Sequence, residues 1–259
     1  MPSVALTIAG SDPSGGAGLQ ADLKTFHQHG VYGMAAVTLI TVQNTTSVSC
    51  VEVLAADLVS RQISALLADI PPDAAKTGAL GSVEVVKAVA ALAAEFTFPL
   101  IVDPVMISKH GARLISPEAE AALKSELLPH AFLVTPNIPE AELLSGMEIH
   151  DDQDMLRAAR RLCAAGCSAV LIKAGHLAGP PVDLLFDGAE VTRFPGVRVE
   201  TRHTHGTGCT LSAAITANVA LGQILPEAIT RAKRYVQAAI ETAPKLGHGH
   251  GPLNHWAGF

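Results

Sequence analysis

The sequence predicts a three-layer α/β fold: a mainly parallel central sheet with helices on both faces. Short apolar, β-branched runs of strand length alternate with longer segments of helical spacing, the pattern of parallel strands joined by helical crossovers. The strand runs are almost continuously apolar, as strands buried on both faces are. The 259 residues are 49% hydrophobic, 16% charged and 4% aromatic, so the core is built from Ala and β-branched side chains, and a disordered chain is excluded.

Taken in order, Val4–Ala9 is the first strand, and Gly10–Gly16 is a loop by composition. Helical spacing follows over Ala17–His29, then a strand over Met34–Val42 and a helix over Leu58–Asp69. Ala74–Thr77 reads as a short strand, Val83–Phe96 as an Ala/Val-rich helix and Leu100–Val102 as a strand ending in Asp103-Pro104. Pro117–Leu128 is helical, with Pro in its first turn. Phe132–Val134 is a strand, Asp154–Ala165 a helix and Ala169–Lys173 another strand. Two strand-like runs within Val182–Phe194 flank Asp187-Gly188, a hairpin signal that predicts an antiparallel edge. A small-residue helix follows Gly206-Thr207-Gly208-Cys209, and a last helix covers Pro226–Ala243. There is no internal repeat and no linker, so residues 1–259 are expected to form one domain.

The net charge is -6 and no basic stripe occurs, which argues against nucleic acid as a partner. No stretch of about 20 apolar residues lacks a charge or turn former, so no membrane span is expected. Met1-Pro2-Ser3-Val4 offers no positive segment before an apolar one and reads as the approach to a strand. Cys50, Cys163, Cys167 and Cys209 form no pair of C-x-x-C elements. A zinc ribbon is therefore unsupported, and a cytoplasmic protein with reduced thiols is expected.

Ligands of open α/β sheets bind beyond the carboxyl ends of the strands, where the polar loops fall. Gly16-Ala17-Gly18-Leu19-Gln20-Ala21 matches G-x-G-x-x-A, but no Asp or Glu stands between Asp22 and Glu52. The ribose-binding acid of a dinucleotide site is therefore missing, and there is no Walker A lysine. Gly206-Thr207-Gly208-Cys209 is more informative. Backbone N–H groups at a helix start hold phosphate, and the glycines permit close approach. A cysteine there should have its thiolate favoured and can take a proton from a substrate hydroxyl. The plain alternative is a small buried cysteine beside a glycine turn. Of the eleven histidines, His248, His250 and His255 gather near the end. Their spacing gives no i, i+4 pair, and the segment reads as a structural loop.

The segment from Ala9 to Thr25, Val42-Gln43-Asn44-Thr45, Val102-Asp103-Pro104-Val105-Met106 and Thr135-Pro136-Asn137-Ile138-Pro139-Glu140-Ala141 resemble the hydroxymethylpyrimidine/phosphomethylpyrimidine kinases of thiamine biosynthesis. So do Lys173-Ala174-Gly175-His176, Thr204–Ser212 and Gly249–His255. These blocks run in the family's order over nearly the whole chain. The resemblance implies a ribokinase-like fold, usually homodimeric, that transfers phosphate from ATP with Mg²⁺ twice: to the pyrimidine's alcohol, then to the monophosphate. It implies Gly10, Asp22, Gln43 and Val105 at the pyrimidine, and Asp103, Asn137, Glu140 and Lys173 at MgATP, with Glu140 reaching the metal partly through water. It also implies Gly206, Thr207 and Gly208 as the anion hole, with Cys209 as base. Each has a plainer reading: Gln43 bonding backbone at a strand end, Asp22 as a solvated first-turn acid, Asn137 as a helix cap, and Lys173 as a solvated strand-end lysine. One departure stands out. Ala79 in Thr77-Gly78-Ala79-Leu80 occupies a position where the family favours methionine, which thins the contact expected with the ring. A pyridoxal kinase, a pyrimidine-binding sensor without catalysis and a Rossmann oxidoreductase are the rival readings. The absent acid disfavours the last, and the intact Gly206–Cys209 loop with Asn137 and Glu140 disfavours the sensor.

Overall fold

The computed structural model describes residues 1–107, 111, 113–175 and 181–259. His176 of the Lys173–His176 block lies outside them. Among the described residues, nine strands form one sheet: β1 (Val4–Ser11), β2 (Tyr32–Gln43), β3 (Val48–Val53), β4 (Ala74–Thr77), β5 (Leu100–Val102), β6 (Leu133–Val134), β7 (Val170–Ile172), β8 (Val182–Phe186) and β9 (Val191–Pro195). Their order is β3-β2-β1-β4-β5-β6-β7-β8-β9. The six strands from β2 through β7 in that order are parallel. β3, β8 and β9 pair antiparallel at the two edges.

Alternation along each strand divides the core in two. Leu100 and Val102 of β5, with Val170 and Ile172 of β7, pack under α2 (Ala56–Asp69), α3 (Val83–Ala93), α4 (Pro117–Ala122), α5 (Ile138–Ser145) and α6 (Asp152–Ala164). Ile101 and Leu171 point the other way, against α7 (Thr207–Ala220) and α8 (Leu225–Glu241). Ala5 and Ala74 meet α1 (Gly18–Gln28) and α7 on that same side. Ala213, Ala214, Ile215 and Ala217 of α7 are all fully buried, and Thr210, Ser212, Thr216 and Asn218 are buried with them, so α7 is enclosed on every side.

The hairpin at Asp187-Gly188 and the antiparallel edge it predicts are present. Two expectations are corrected. β3 has no counterpart in the sequence reading, because Ser49 and Glu52 interrupt the apolar residues of Val48–Val53, which lies half-exposed at an edge. The helix expected over Pro117–Leu128 ends at Ala122, widens over Leu123–Leu127 and finishes in a tight turn that carries Pro129. From β1 the chain goes to β2 on one side and returns to β4 on the other. That reversal opens a crevice at the carboxyl ends of β1 and β4.

Candidate active site

A cleft of about 870 Å³ lies at these carboxyl ends and is lined by Gly10, Gln43, Asp103, Val105, Asn137, Glu140, Lys173 and Gly206–Cys209. Of the residues expected at the site, Asp22 alone is not in its wall. Among the described residues no helix is long and apolar enough to cross a membrane.

α7 starts one residue after Gly206, whose φ is +81°. A Cβ at Gly206 would lie 1.8 Å from the Gly16 carbonyl oxygen, so only glycine permits this crossing of two backbones. The Thr207 hydroxyl turns back to donate to the Thr204 carbonyl at 2.8 Å. The N–H groups of Gly208 and Cys209, in the first helical turn, face out with no intrahelical acceptor. Lys173 lies over this turn: a Cβ on Gly208 would be 3.4 Å from its ammonium. The arrangement can act as an anion hole with a cation beside it.

The ready thiolate expected at Cys209 is corrected. Burial pushes the thiol up to about 12, and Asp22 and Asp103 add to that. Lys76 and the Gly18 N–H, which points at the sulfur, offset only part of the rise. Desolvation thus outweighs the helix terminus.

Asp103 and Lys173 pair at 3.2 Å, so Lys173 is not the solvated strand-end lysine of the plainer reading. Asp103 also accepts from Thr135 at 3.3 Å and from Ser212 at 3.1 Å. Burial would raise its carboxyl, but Lys173 and Lys76 hold it below the usual range. Asn137 and Glu140 form a capping box at α5. Asn137 Oδ1 accepts the Glu140 N–H at 2.9 Å, and Glu140 Oε2 accepts the Asn137 N–H at 2.8 Å. The plainer reading of Asn137 is therefore present in the structure. Burial raises Glu140 to about 7, and Lys173 and the Met106 N–H act against the rise. Both carboxylates are already committed to protein donors, and no group of three His, Cys, Asp or Glu among the described residues makes a metal cage. This donor set fits a Mg²⁺ ion that would arrive on phosphates with its water shell, and Glu140 is the residue that would meet that shell.

Asp22 is corrected as a solvated acid, since it is fully buried. Its Oδ2 accepts from Thr7 at 2.6 Å and from Lys76 at 2.9 Å. Burial opposes both charges, yet mutual attraction at this distance keeps Lys76 an ammonium. Lys76 lines the cleft, and Asp22 stands behind it. Gln43 bonds the Asp12 carboxylate with its side chain, in place of the backbone partner of the plainer reading. Asp12 also accepts the N–H groups of Ser14, Gly16 and Ala17 at 2.8, 3.2 and 2.9 Å, and pairs with His205 Nε2 at 2.8 Å. Burial pushes Asp12 up, but the bonds from His205, Gln43 and Ser14 hold it well below the usual carboxylate range. Asp12 thereby ties the Gly-rich loop to the residue that precedes the anion hole.

Sequence reasoning missed Asp12, His205 and Lys76 as members of the site. Signals existed: an aspartate opening a Ser/Gly turn, a histidine adjoining Gly206, and a lysine inside a four-residue strand with every position buried. Ala79 lines the cleft along with Met106. The tail histidines occupy separate places. His248 is exposed, His250 contacts the Arg202 carbonyl at 3.1 Å, and His255 meets the Thr210 hydroxyl at 3.3 Å. The tail itself is pinned by the His250 N–H, which donates to the Thr45 carbonyl at 2.8 Å. A second, more open groove of about 970 Å³ between β9 and α8 holds none of the expected site residues.

The sequence model of the family described as phosphomethylpyrimidine kinase matches residues 12–254. The hydroxymethylpyrimidine/phosphomethylpyrimidine kinase of Rhizobium meliloti is 48% identical over 99% of this chain and 98% of its own length. The thiamine biosynthesis bifunctional protein ThiED of Geobacter sulfurreducens is 52% identical over 96% of this chain, and the chain spans 51% of that longer protein. Among solved structures, the ADP complex of Bacillus subtilis pyridoxal kinase superposes with a TM-score of 0.91 at 39% identity, covering 99% of this chain and 98% of that one. The ribokinase-like fold is thus shared across two substrate specificities. With the match reaching from the Asp12 turn through the anion hole into the pinned tail, the chain belongs to the phosphomethylpyrimidine kinase family.

Proposed function

We infer that this protein transfers phosphate from ATP to 4-amino-5-hydroxymethyl-2-methylpyrimidine, and then to the resulting monophosphate, in thiamine biosynthesis. The observation that carries this reading is the anion hole at Gly206–Cys209, with Lys173 over it, opening on the cleft that holds Gln43. Lys173 and the N–H groups of Gly208 and Cys209 receive the charge on the transferring phosphoryl group. Gln43 presents an amide donor and acceptor to the aminopyrimidine edge, held in place by Asp12. Gly10 and Val105 border the ring, and Asp22 acts through Lys76. Mg²⁺, when bound with ATP, would neutralise phosphate charge, and Glu140 and Asn137 would hold its water shell. In the first step Cys209 as thiolate takes the hydroxyl proton while the oxygen bonds the γ-phosphorus and the β,γ-bridging bond breaks to release ADP. In the second step the acceptor is a phosphate oxygen, largely ionised near neutral pH, and needs little base. A homodimer in the cytoplasm belongs to the same proposal.

Purified protein with MgATP and the pyrimidine should give mono- and diphosphate, with little product from pyridoxal. Strong pyridoxal turnover without pyrimidine diphosphate would overturn the substrate and favour the second reading. That reading has two specific supports: the 39% identity to a pyridoxal kinase and the short Ala79 side chain in the cleft. Cys209→Ala should slow the first step by about 10²–10⁴-fold and the second far less. Equal losses in both would remove Cys209 as the base.

A further inference from the structure

The transfer chemistry just described gives the buried Lys76–Asp22 pair no defined task at the reacting atoms. Lys76 sits in β4, where Ala74 and Ala75 on either core face are fully buried. Its side chain leaves the sheet on the α1/α7 side and ends in the cleft wall, 3.7 Å from where a Cβ on Gly78 would stand. It is wholly buried, and so is its partner Asp22. A buried ion pair is costly to desolvate and adds little stability that an apolar pair would not. This pair also stands where the α1 start, the α7 start and β4 converge, and Cys209 occupies that junction.

We propose that Lys76 is a positioning residue for the first phosphorylation: its buried ammonium, anchored by Asp22, is the fixed cation that stabilises the Cys209 thiolate. The proposal rests on the reading of Cys209 as the base and deepens it. The charged groups that face the sulfur are Lys76 from β4, Asp22 from α1, Asp103 after β5 and Lys173 after β7. Lys173 is matched by Asp103 and lies over the Gly208 turn, which leaves Lys76, at the junction of β4 with the starts of α1 and α7, as the cation with the strongest pull on the sulfur. The thiol loses its proton to water in the open cleft. The thiolate then takes the hydroxyl proton as the oxygen–phosphorus bond forms and ADP leaves. Lys76 keeps its own protons throughout and so fixes the thiolate population without being consumed.

The test is the rate at which iodoacetamide alkylates Cys209 between pH 7 and 9, followed by mass spectrometry of the Cys209 peptide to separate it from the exposed Cys50. Lys76→Gln keeps a hydrogen bond to Asp22 and removes the charge. Lys76→Met/Asp22→Asn removes the pair together and guards against a variant that fails to fold. Lys76→Gln loses the whole attraction of the cation while the Asp22 repulsion stays, so its alkylation rate should fall by about tenfold or more at fixed pH, with a similar loss in the first phosphorylation and a smaller one in the second. The double variant also lifts the Asp22 repulsion and should fall less, by about threefold. Lys76→Arg, which keeps the cation, should recover most of the alkylation rate. Folded variants whose alkylation rate matches the parent overturn the proposal, and so does an equal loss in Lys76→Arg and Lys76→Gln. If alkylation falls as expected but Cys209→Ala keeps its first-step rate, the Lys76–sulfur coupling stands and the base reading fails.

Discussion

Gly206→Ala tests whether the backbone crossing at the anion hole sets the rate of transfer. In the structure a Cβ at this position meets the Gly16 carbonyl oxygen at 1.8 Å, against the 3.0 Å below which real Cβ contacts essentially do not occur. The obstacle is backbone, and Asp12 clamps it through the N–H groups of Gly16 and Ala17. The substitution therefore has to open the crossing by about 1.2 Å, and a misplacement of about 1 Å at a reacting site costs roughly 10²-fold in rate. Left-handed backbone at an alanine adds about 1–2 kcal/mol of strain, a fall in Tm of about 2–4 °C per kcal/mol for a chain of this size. Gly222→Ala is the control. Its φ is +80°, and nothing lies within 4 Å of the added Cβ, so it carries the same handedness strain without the collision. Steady-state kcat for both phosphorylations, with Tm for each variant, separates the two effects. Gly206→Ala should lose about 100-fold in both steps, because the anion hole serves both, while Gly222→Ala keeps its kcat. A Gly206→Ala enzyme within about fivefold of the parent would refute the claim that this crossing positions the anion hole.

Glu140 carries a pH dependence with a definite sign. Burial raises its carboxyl from 4.5 to about 7, so the folded protein keeps a proton that the unfolded chain releases. Stability is full below 4.5 and falls as pH rises toward 7, by roughly 3 kcal/mol. Glu140→Gln retains the capping oxygen and should flatten that slope in thermal melts from pH 4.5 to 7.5. An unchanged slope would move the titration elsewhere. The same ionisation should lower KM for MgATP as pH passes 7 in the parent and not in the variant. Ala79→Met would fill the wall beside the ring, and a sulfur–aromatic contact of about 0.3–1.5 kcal/mol predicts a two- to tenfold lower KM for the pyrimidine. Pyridoxal turnover should fall relative to it; a constant ratio of the two kcat/KM values would show that Ala79 does not select the ring.

The parallel core was legible because hydrophobic runs of strand length repeat between helical segments, and burial on both faces leaves that pattern undisturbed. β3 escaped it because an edge strand with one half-solvated face carries no such run. The anion hole was legible because glycine at Gly206 and Gly208, a following helix and Cys209 state a local backbone geometry. Asp12 and His205 were not, because their pairing spans 193 residues and depends on two loops meeting over the sheet. The charge state of Cys209 was misread for the same kind of reason. The helix terminus is a local fact, whereas the desolvation that outweighs it comes from α1, β4 and the segment after β5 closing around the sulfur.

The pairing of buried charges at the cleft bears on how one site accepts both an alcohol and a phosphate. Lys76 is matched by Asp22, and Lys173 by Asp103, so neither cation meets an incoming anion at full strength. The Gly208 and Cys209 N–H groups at the start of α7 have no intrahelical acceptor. In the proposed transfer they face the position where charge gathers on the phosphoryl group. Interactions that strengthen only as that charge develops raise kcat, whereas an unpaired lysine would bind substrate, transition state and product phosphate alike. Such uniform binding would hold the monophosphate in place after the first step, and a second transfer needs that phosphate to become the acceptor of a fresh phosphoryl group. Pairing each cation with a carboxylate weakens its hold on the product and leaves the helix terminus as the main source of transition-state stabilisation. Of the two pairs, the one at Asp103 faces phosphate and the one at Asp22 faces sulfur, so the two cations divide the first transfer between its two ends.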